Sequence, residues 1–215
     1  MFTGLVETIG DIKNISKETT GMKLVVSADK NFFTGVKKGD SIAVNGVCLT
    51  AENINETNFS AYASNETLTV STFDSFRIGD KVNLEKPMTP SSFFGGHIVQ
   101  GHVDTKGIVK ESKKNGNGYD IVISVSDKKD MNFIVEKGSI SVDGTSLTVN
   151  ELFSDGFRLT VIPHTFDNTI MKYYKIGKVV NLEFDIIAKY VYKMINKKDS
   201  DNKINEMVIN SPYFK

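Results

Sequence analysis

The sequence predicts an all-β protein of two homologous six-stranded Greek-key barrels, related by an internal duplication, with one α-helix at the C-terminal end. Two observations support this fold class: short β-branched segments alternate with glycine turns along most of the chain, and the same blocks occur twice in one order. A third observation, a helical spacing of apolar residues after Asp185, separates the last segment from both repeats.

The duplication is clearest in a six-residue block that contains a turn. N-G-V-C-L-T at Asn45–Thr50 matches D-G-T-S-L-T at Asp143–Thr148, at an offset of 98 residues (143 − 45). I-G-D-K-V-N-L-E at Ile78–Glu85 matches I-G-K-V-V-N-L-E at Ile176–Glu183 at the same offset, and the openings G-L-V-E-T and G-H-V-D-T also match. Because several blocks recur in one order at nearly one spacing, each half is predicted to form one domain. Several short strands at regular spacing within about 90 residues indicate a small closed barrel or a sandwich of Greek-key type, and the barrel is the prediction adopted.

The repeat sets the predicted domain bounds at 1–87 for the first barrel and 97–186 for the second. A linker is predicted around Lys86–Phe94, where two prolines and two serines interrupt the strand pattern. Closure into barrels removes the edge strands that an open sheet would expose. One short helix is expected in each barrel, around Phe32–Phe33 and around Lys129–Phe133.

The segment after Asp185 belongs to neither repeat and is predicted to form a helix over 187–197, followed by a polar tail to residue 215. Its apolar residues lie on one helical face, which docks on its own barrel or pairs with the same helix of other subunits. They are Ile187, Tyr190, Val191, Met194 and Ile195.

Composition excludes several classes of function. Lys+Arg and Asp+Glu both number 26, so no basic excess favours a nucleic-acid partner. No apolar stretch approaches the ~18–20 residues that span a membrane, and Glu7 interrupts any secretory signal, so a cytoplasmic location is expected. The one cysteine and the three histidines lack the close spacing of metal ligands, so no metal site is predicted. The sequence also has no nucleotide-binding motif, so no cofactor is predicted.

A few side chains are of types that could take part in catalysis. His97 and His102 lie in F-G-G-H-I-V-Q-G-H-V-D, where flanking glycines suit either turns or general acid–base chemistry. A lone Cys48 is usually a small buried apolar residue, but its repeat partner Ser146 is also potentially nucleophilic. Asp143 corresponds to Asn45, so the halves are predicted to hold related pockets with different ionisable groups.

These blocks, with the opening M-F-T-G-L-V-E and the closing N-L-E-F-D-I-I-A-K-Y, resemble the riboflavin synthase family over both halves. Gln100 and Phe166 depart from the family pattern, where a small hydroxyl residue and a leucine are expected. The resemblance implies that two molecules of 6,7-dimethyl-8-ribityllumazine exchange four carbons to give riboflavin and 5-amino-6-ribitylamino-pyrimidinedione, without a cofactor. It further implies a homotrimer joined by the C-terminal helices, sites between barrels of neighbouring subunits, and lumazine synthase as a candidate partner.

The resemblance also assigns residues to the two pockets by matching motif. It implies that His102 is the general base, that Ser146 or Cys48 assists nucleophilic addition, and that Asp143 is also catalytic. The first-barrel pocket is assigned Phe2, Thr3, Ser41, Cys48, Thr50 and Ala61. The second is assigned His102, Lys137, Asp143, Ser146, Thr148, Ile162 and Thr165, with Asp185 nearby.

Two other functions remain open for this pattern. The first is a non-catalytic lumazine or flavin carrier, such as an antenna protein on the same doubled barrel; the presence of Cys48, His102, Asp143 and Ser146 favours an enzyme. The second is the flavin-binding barrel of an oxidoreductase, which would need a second nucleotide-binding domain for which the chain has no room.

Overall fold

The β-branched segments form twelve strands within residues 1–196, the part of the chain that the computed structural model describes. The first barrel consists of β1 (Thr8–Glu18), β2 (Gly21–Ser27), β3 (Ser41–Val44), β4 (Val47–Ile54), β5 (Asn58–Ser64) and β6 (Lys81–Glu85). The second consists of β7 (Thr105–Asn115), β8 (Gly118–Val125), β9 (Ser139–Val142), β10 (Thr145–Leu152), β11 (Gly156–Val161) and β12 (Val179–Phe184).

Both barrels are closed, antiparallel and of one topology. The first has the strand order β1-β2-β5-β4-β3-β6, and the second has the equivalent order, in which β8 pairs with β11 and β9 with β12. Neighbouring strands that are not consecutive in sequence define a Greek key, and closure leaves no unpaired edge. The predicted fold class is therefore confirmed.

Each barrel has its own hydrophobic core, built by the two-residue alternation of its strands. In β2, Met22, Leu24 and Val26 point inward and are buried, while the residues between them are partly exposed. Phe59 fills the first core and Phe157 the second, and each belongs to a separate cluster of buried residues.

Short helices are more numerous than predicted. Two 3-10 helices, Lys30–Phe33 and Lys128–Phe133, occur where one helix per barrel was expected. The structure therefore has the two expected helices, and each barrel has in addition a helix pair between its fifth and sixth strands that was not predicted. These segments are too short to show a helical period and depend on local caps, such as the Ser64 side chain, which accepts from Thr67 N. The helix pair of the first barrel is α1 (Asn65–Val70) with the 3-10 helix Thr72–Ser75, and that of the second is α2 (Pro163–Asp167) with the 3-10 helix Ile170–Tyr173.

The C-terminal helix, α3 (Ile186–Ile195), begins one residue earlier than predicted, and the Asp185 carboxylate caps it by accepting from Ile187 N at 2.9 Å. Its inner side docks on the second barrel, where Tyr192 packs on Phe133 and Lys189 pairs with Asp104 at 2.8 Å. The predicted last residue of this helix and the polar tail, 197–215, lie outside the described residues.

The two barrels contact each other about a pseudo-two-fold axis. The turn at Gly46 packs on the turn at Gly144, its repeat equivalent. On either side, Asn83 Nδ2 donates to Asp143 O at 2.9 Å and Asn181 Nδ2 donates to Asn45 O at 2.8 Å. The contact is thus made by equivalent residues of the two repeats.

Candidate active site

Two equivalent segments cross between the barrels and build both candidate pockets. Phe2 and Val99 form an antiparallel bridge, in which Phe2 N donates to Val99 O at 2.7 Å and Val99 N donates to Phe2 O at 3.2 Å. From this bridge residues 2–4 run to Ser146 in β10, whereas residues 99–102, which open the second repeat, run to Cys48 in β4. Each segment therefore reaches the barrel of the other repeat.

The Cys48 pocket is a cavity of about 220 Å³ beside the first barrel. Cys48 N donates to Gly101 O at 2.9 Å, so residues 99–102 form one wall of this pocket. Gly101 has φ +82°, and a Cβ there would lie 2.5 Å from Cys48 Cβ, so the close approach requires glycine. Helix α1 forms the other wall. The lining residues are Val47, Cys48, Glu66, Thr67, Val70, Ser71, Gly101, His102 and Val103.

The equivalent place on the second barrel contains a hydrogen-bonded histidine–serine pair. Ser146 N donates to Gly4 O at 2.8 Å, which repeats the Cys48–Gly101 contact. In addition, His97 Nδ1 lies 2.7 Å from Ser146 Oγ. Within the described residues no histidine is bonded to the Cys48 thiol in this way. The two equivalent places are therefore related but chemically different.

His97 is suited to exchange protons with Ser146. The ring is 7% exposed, and its Nε2 is buried without a hydrogen-bond partner within residues 1–196. Burial lowers the pKa of His97, and the nearby Asp185 carboxylate opposes this shift. The imidazole is therefore neutral near pH 7, with one nitrogen available to accept the hydroxyl proton.

The location of His102 differs from the sequence prediction. It was assigned to the second-barrel pocket with Ser146, but it is exposed and lines the Cys48 pocket. The reason is the crossing: residues that open the second repeat form a wall of the first barrel's pocket. The histidine beside Ser146 is His97.

Two buried glutamates, which sequence reasoning missed, hold the crossing segments. Glu85 accepts from Thr3 N, Thr3 Oγ1 and Gly4 N at 2.7–3.1 Å. Glu183 accepts from the backbone N of Gln100, Gly101 and His102 at 2.7–3.1 Å. Burial raises the pKa of both carboxyl groups. The signal for them was the N-L-E that closes the repeated block in each half.

Asp143 lies in the contact between the barrels and does not line the Cys48 pocket. It is 1% exposed, and its carboxylate accepts from Asn181 N at 2.8 Å and from the Tyr174 hydroxyl at 2.6 Å. Burial raises the pKa of Asp143 to about 6, against these hydrogen bonds. In the first repeat, Asn45 accepts from Asn83 N at 2.7 Å, and Phe76 occupies the position equivalent to Tyr174.

The other predicted first-barrel residues fall into two groups. Ser41 and Thr50 are register partners on β3 and β4 and are partly or fully accessible. Phe2 and Thr3 are buried in the crossing, and the Thr3 hydroxyl is bonded to Glu85. Ala61 is fully buried in the core of the first barrel, so the structure does not bring it to the pocket.

The predicted second-barrel residues lie around β9, β10 and α2. Thr148 is exposed, as is Ile162 just before α2, where the first repeat has Ser64. Thr165 lies on α2, the equivalent of the helix that lines the Cys48 pocket. Lys137 has φ +64° where the first repeat has Gly39, so a non-glycine residue is held in the left-handed region.

Within residues 1–196, no group of three or more His, Cys, Asp or Glu side chains could hold a metal ion. No helix in the same range is both long and apolar enough to cross a membrane.

Comparison with known proteins gives one consistent result. The lumazine binding domain model matches twice, at residues 3–87 and 100–185. The riboflavin synthase of Photobacterium phosphoreum is 40% identical over 208 residues, 95% of each chain. That of Bacillus subtilis is 40% identical over 210 residues, and that of Saccharomyces cerevisiae 38% identical over 228, each spanning at least 95% of both chains.

Solved structures share the fold. The crystal structure of LumP complexed with riboflavin superposes with a TM-score of 0.79 over 86% of this chain and 99% of LumP, at 24% identity. LumP complexed with 6,7-dimethyl-8-(1'-D-ribityl) lumazine gives 0.77 at the same identity and coverage.

Proposed function

Because this chain belongs to the riboflavin synthase family, we propose that it converts two molecules of 6,7-dimethyl-8-ribityllumazine into riboflavin and 5-amino-6-ribitylamino-pyrimidinedione. It is an enzyme, a transferase that moves four carbons between two identical substrates. The duplication suits this reaction, since two homologous pockets that face each other present two copies of one ligand in opposed orientations. Holding two reactants in the correct orientation lowers the activation free energy of a bimolecular step by on the order of several kcal/mol.

The observation that supports this function best is the His97–Ser146 pair. The reaction begins when the seven-methyl group of one lumazine loses a proton, and the resulting carbanion adds to the second molecule. We assign the proton exchange to His97, whose neutral Nδ1 lies 2.7 Å from Ser146 Oγ. The Ser146 hydroxyl and the Cys48 thiol then flank the two pockets as the groups that assist addition.

Asp143 is given a positioning role rather than a chemical one. Its carboxylate is buried between the barrels and fixes the turn that precedes β10, and Ser146 follows Asp143 by three positions. His102 lies in the Cys48 pocket, where it contacts the substrate bound by the first barrel. The substrate-binding candidates kept in this proposal are Ser41, Thr50, Lys137, Thr148, Ile162, Thr165 and Asp185.

Assembly as a homotrimer through α3 is part of this proposal. Of the five predicted apolar residues of this face, Ile187, Tyr190, Met194 and Ile195 are 60–77% exposed and Val191 is 47% exposed. An apolar helical face of this kind favours self-association. A complete site would then lie between the first barrel of one subunit and the second barrel of a neighbour. A complex with lumazine synthase and a cytoplasmic location stay predictions.

Incubation of the purified protein with the lumazine alone tests the proposed function. Riboflavin and the pyrimidinedione should accumulate in equal amounts, because one molecule donates what the other receives. A non-catalytic carrier would instead hold the lumazine unchanged, which the absorbance spectrum of the bound ligand distinguishes. Ser146→Ala serves as the matched control, since it removes the oxygen bonded to His97 and should lower the rate without abolishing binding.

A further inference from the structure

We infer that Glu85 and Glu183 are positioning residues that act across the barrel boundary, each shaping the pocket of the barrel to which it does not belong. Their effect on turnover rests on the proposed function, whereas their effect on pocket shape follows from geometry alone. They are repeat equivalents at the ends of β6 and β12.

Glu183 belongs to the second barrel but controls a wall of the Cys48 pocket. Both of its oxygens are used by consecutive backbone donors, Gln100 N at 2.7 Å, Gly101 N at 3.0 Å and His102 N at 3.1 Å. The same Gly101 accepts from Cys48 N at 2.9 Å, and both Gly101 and His102 line the cavity. The wall of the first barrel's pocket is therefore held by a carboxylate of the second barrel.

Glu85 does the reverse. It belongs to the first barrel and accepts from Thr3 N, Thr3 Oγ1 and Gly4 N. Gly4 O accepts in turn from Ser146 N at 2.8 Å, and a Cβ at Gly4 would lie 2.6 Å from Ser146 Cβ. The segment packed on the serine of the second barrel is thus held by a carboxylate of the first.

A carboxylate is the group that this arrangement requires. Three converging donors need an acceptor with no hydrogens of its own, and hydrogen bonds to an ionised acceptor are stronger than neutral ones. Both side chains are nearly inaccessible, at 5% for Glu85 and 2% for Glu183, so water does not replace a lost bond. A glutamine would place an NH₂ group against backbone N–H groups and release part of the segment.

A general structural role and a cross-barrel role make different predictions. A glutamate that only stabilised the fold would, when replaced, loosen both pockets or neither. A cross-barrel glutamate loosens one pocket, and that pocket lies on the opposite barrel. The single cysteine of the chain makes this measurable, because alkylation by iodoacetamide reports the Cys48 pocket alone.

The first experiment compares Glu183→Gln with Glu85→Gln by the alkylation rate of Cys48 in the full-length protein. Glu183→Gln should raise the rate about tenfold, the scale expected when a hydrogen bond to a charged group is lost. Glu85→Gln should leave it within about twofold, a change that is small on the same scale. Circular dichroism confirms folding, and Glu183→Asp, which withdraws the carboxylate by one methylene, serves if Glu183→Gln does not fold.

The second experiment moves the thiol to the other pocket with the pair Cys48→Ser and Ser146→Cys, a change the repeat itself tolerates at these positions. In this background Glu85→Gln should accelerate alkylation and Glu183→Gln should not. The reciprocal pattern supports the inference. Equal acceleration by both variants, or acceleration of the thiol on the glutamate's own barrel, overturns it. The alkylation rates do not depend on riboflavin formation, so this experiment tests the inference separately from the proposed function.

Discussion

Replacing Asp143 with asparagine should stabilise the fold at neutral pH, because it removes a carboxylate that burial disfavours. The pKa of Asp143 is raised from 3.8 to about 6 in the folded state. Each pKa unit corresponds to about 1.4 kcal/mol, so ionising this buried group at pH 7 costs about 3 kcal/mol of folding free energy. Asparagine fits the site, since Asn45 has nearly the same φ as Asp143, 44° against 43°.

The sign of the pH dependence follows from proton uptake. Between about pH 4 and pH 6 the folded state retains a proton on Asp143 that the unfolded state has lost, so stability falls as the pH rises through this window. The Asp143→Asn variant has no carboxyl group at this position, so its stability should not show this fall with pH. Its free energy of unfolding, measured by urea denaturation, should match that of the parent near pH 4 and exceed it by about 1–3 kcal/mol at pH 7.

The first repeat supplies the matched control. Asn45→Asp places a carboxylate at the equivalent position, where Phe76 offers no hydroxyl in place of Tyr174, and should destabilise the protein at pH 7. Turnover is measured on the same samples. A difference in unfolding free energy that does not change between pH 4 and pH 7 would refute the reasoning. A loss of turnover by more than ~10²-fold in Asp143→Asn would restore Asp143 to a role in proton transfer.

Four further predictions address the site and the assembly. His97→Gln should lower kcat by ~10²-fold or more with little change in KM, and a smaller loss is expected for His102→Gln; the reverse order would make His102 the base. In the parent enzyme kcat should fall on the acid side of its pH profile with an apparent pKa below the usual histidine value, because burial lowers the pKa of His97. Ser146→Ala should cost more turnover than Cys48→Ser, and equal, additive losses would contradict the chemical difference between the pockets. Deletion from Ile187 onward should convert a trimer into smaller species of reduced activity, and sedimentation of a truncated protein that is still trimeric would contradict the role of α3.

Local patterns were sufficient to predict the barrels. The two-residue alternation, the glycine turns and the repeat at an offset of 98 predicted the strands of both halves and their equivalence. The pairing of β2 with β5 and of β3 with β6 joins strands that are not consecutive, so only the structure established it. The short helices between the fifth and sixth strands were missed, since five or six residues give no periodicity. Ala61 was assigned to the pocket by the family resemblance, whereas the structure buries its side chain in the core of the first barrel.

The sequence by itself determined that Cys48 and Ser146 occupy equivalent positions of the two repeats. Only the tertiary structure decided which histidine accompanies which pocket, pairing His97 with Ser146 and placing His102 beside Cys48. An internal repeat shows which residues correspond, but not which barrel a connecting segment packs against. That depends on hydrogen bonds between residues about eighty positions apart, such as those from Gly4 to Glu85 and from Gly101 to Glu183, which no local pattern encodes.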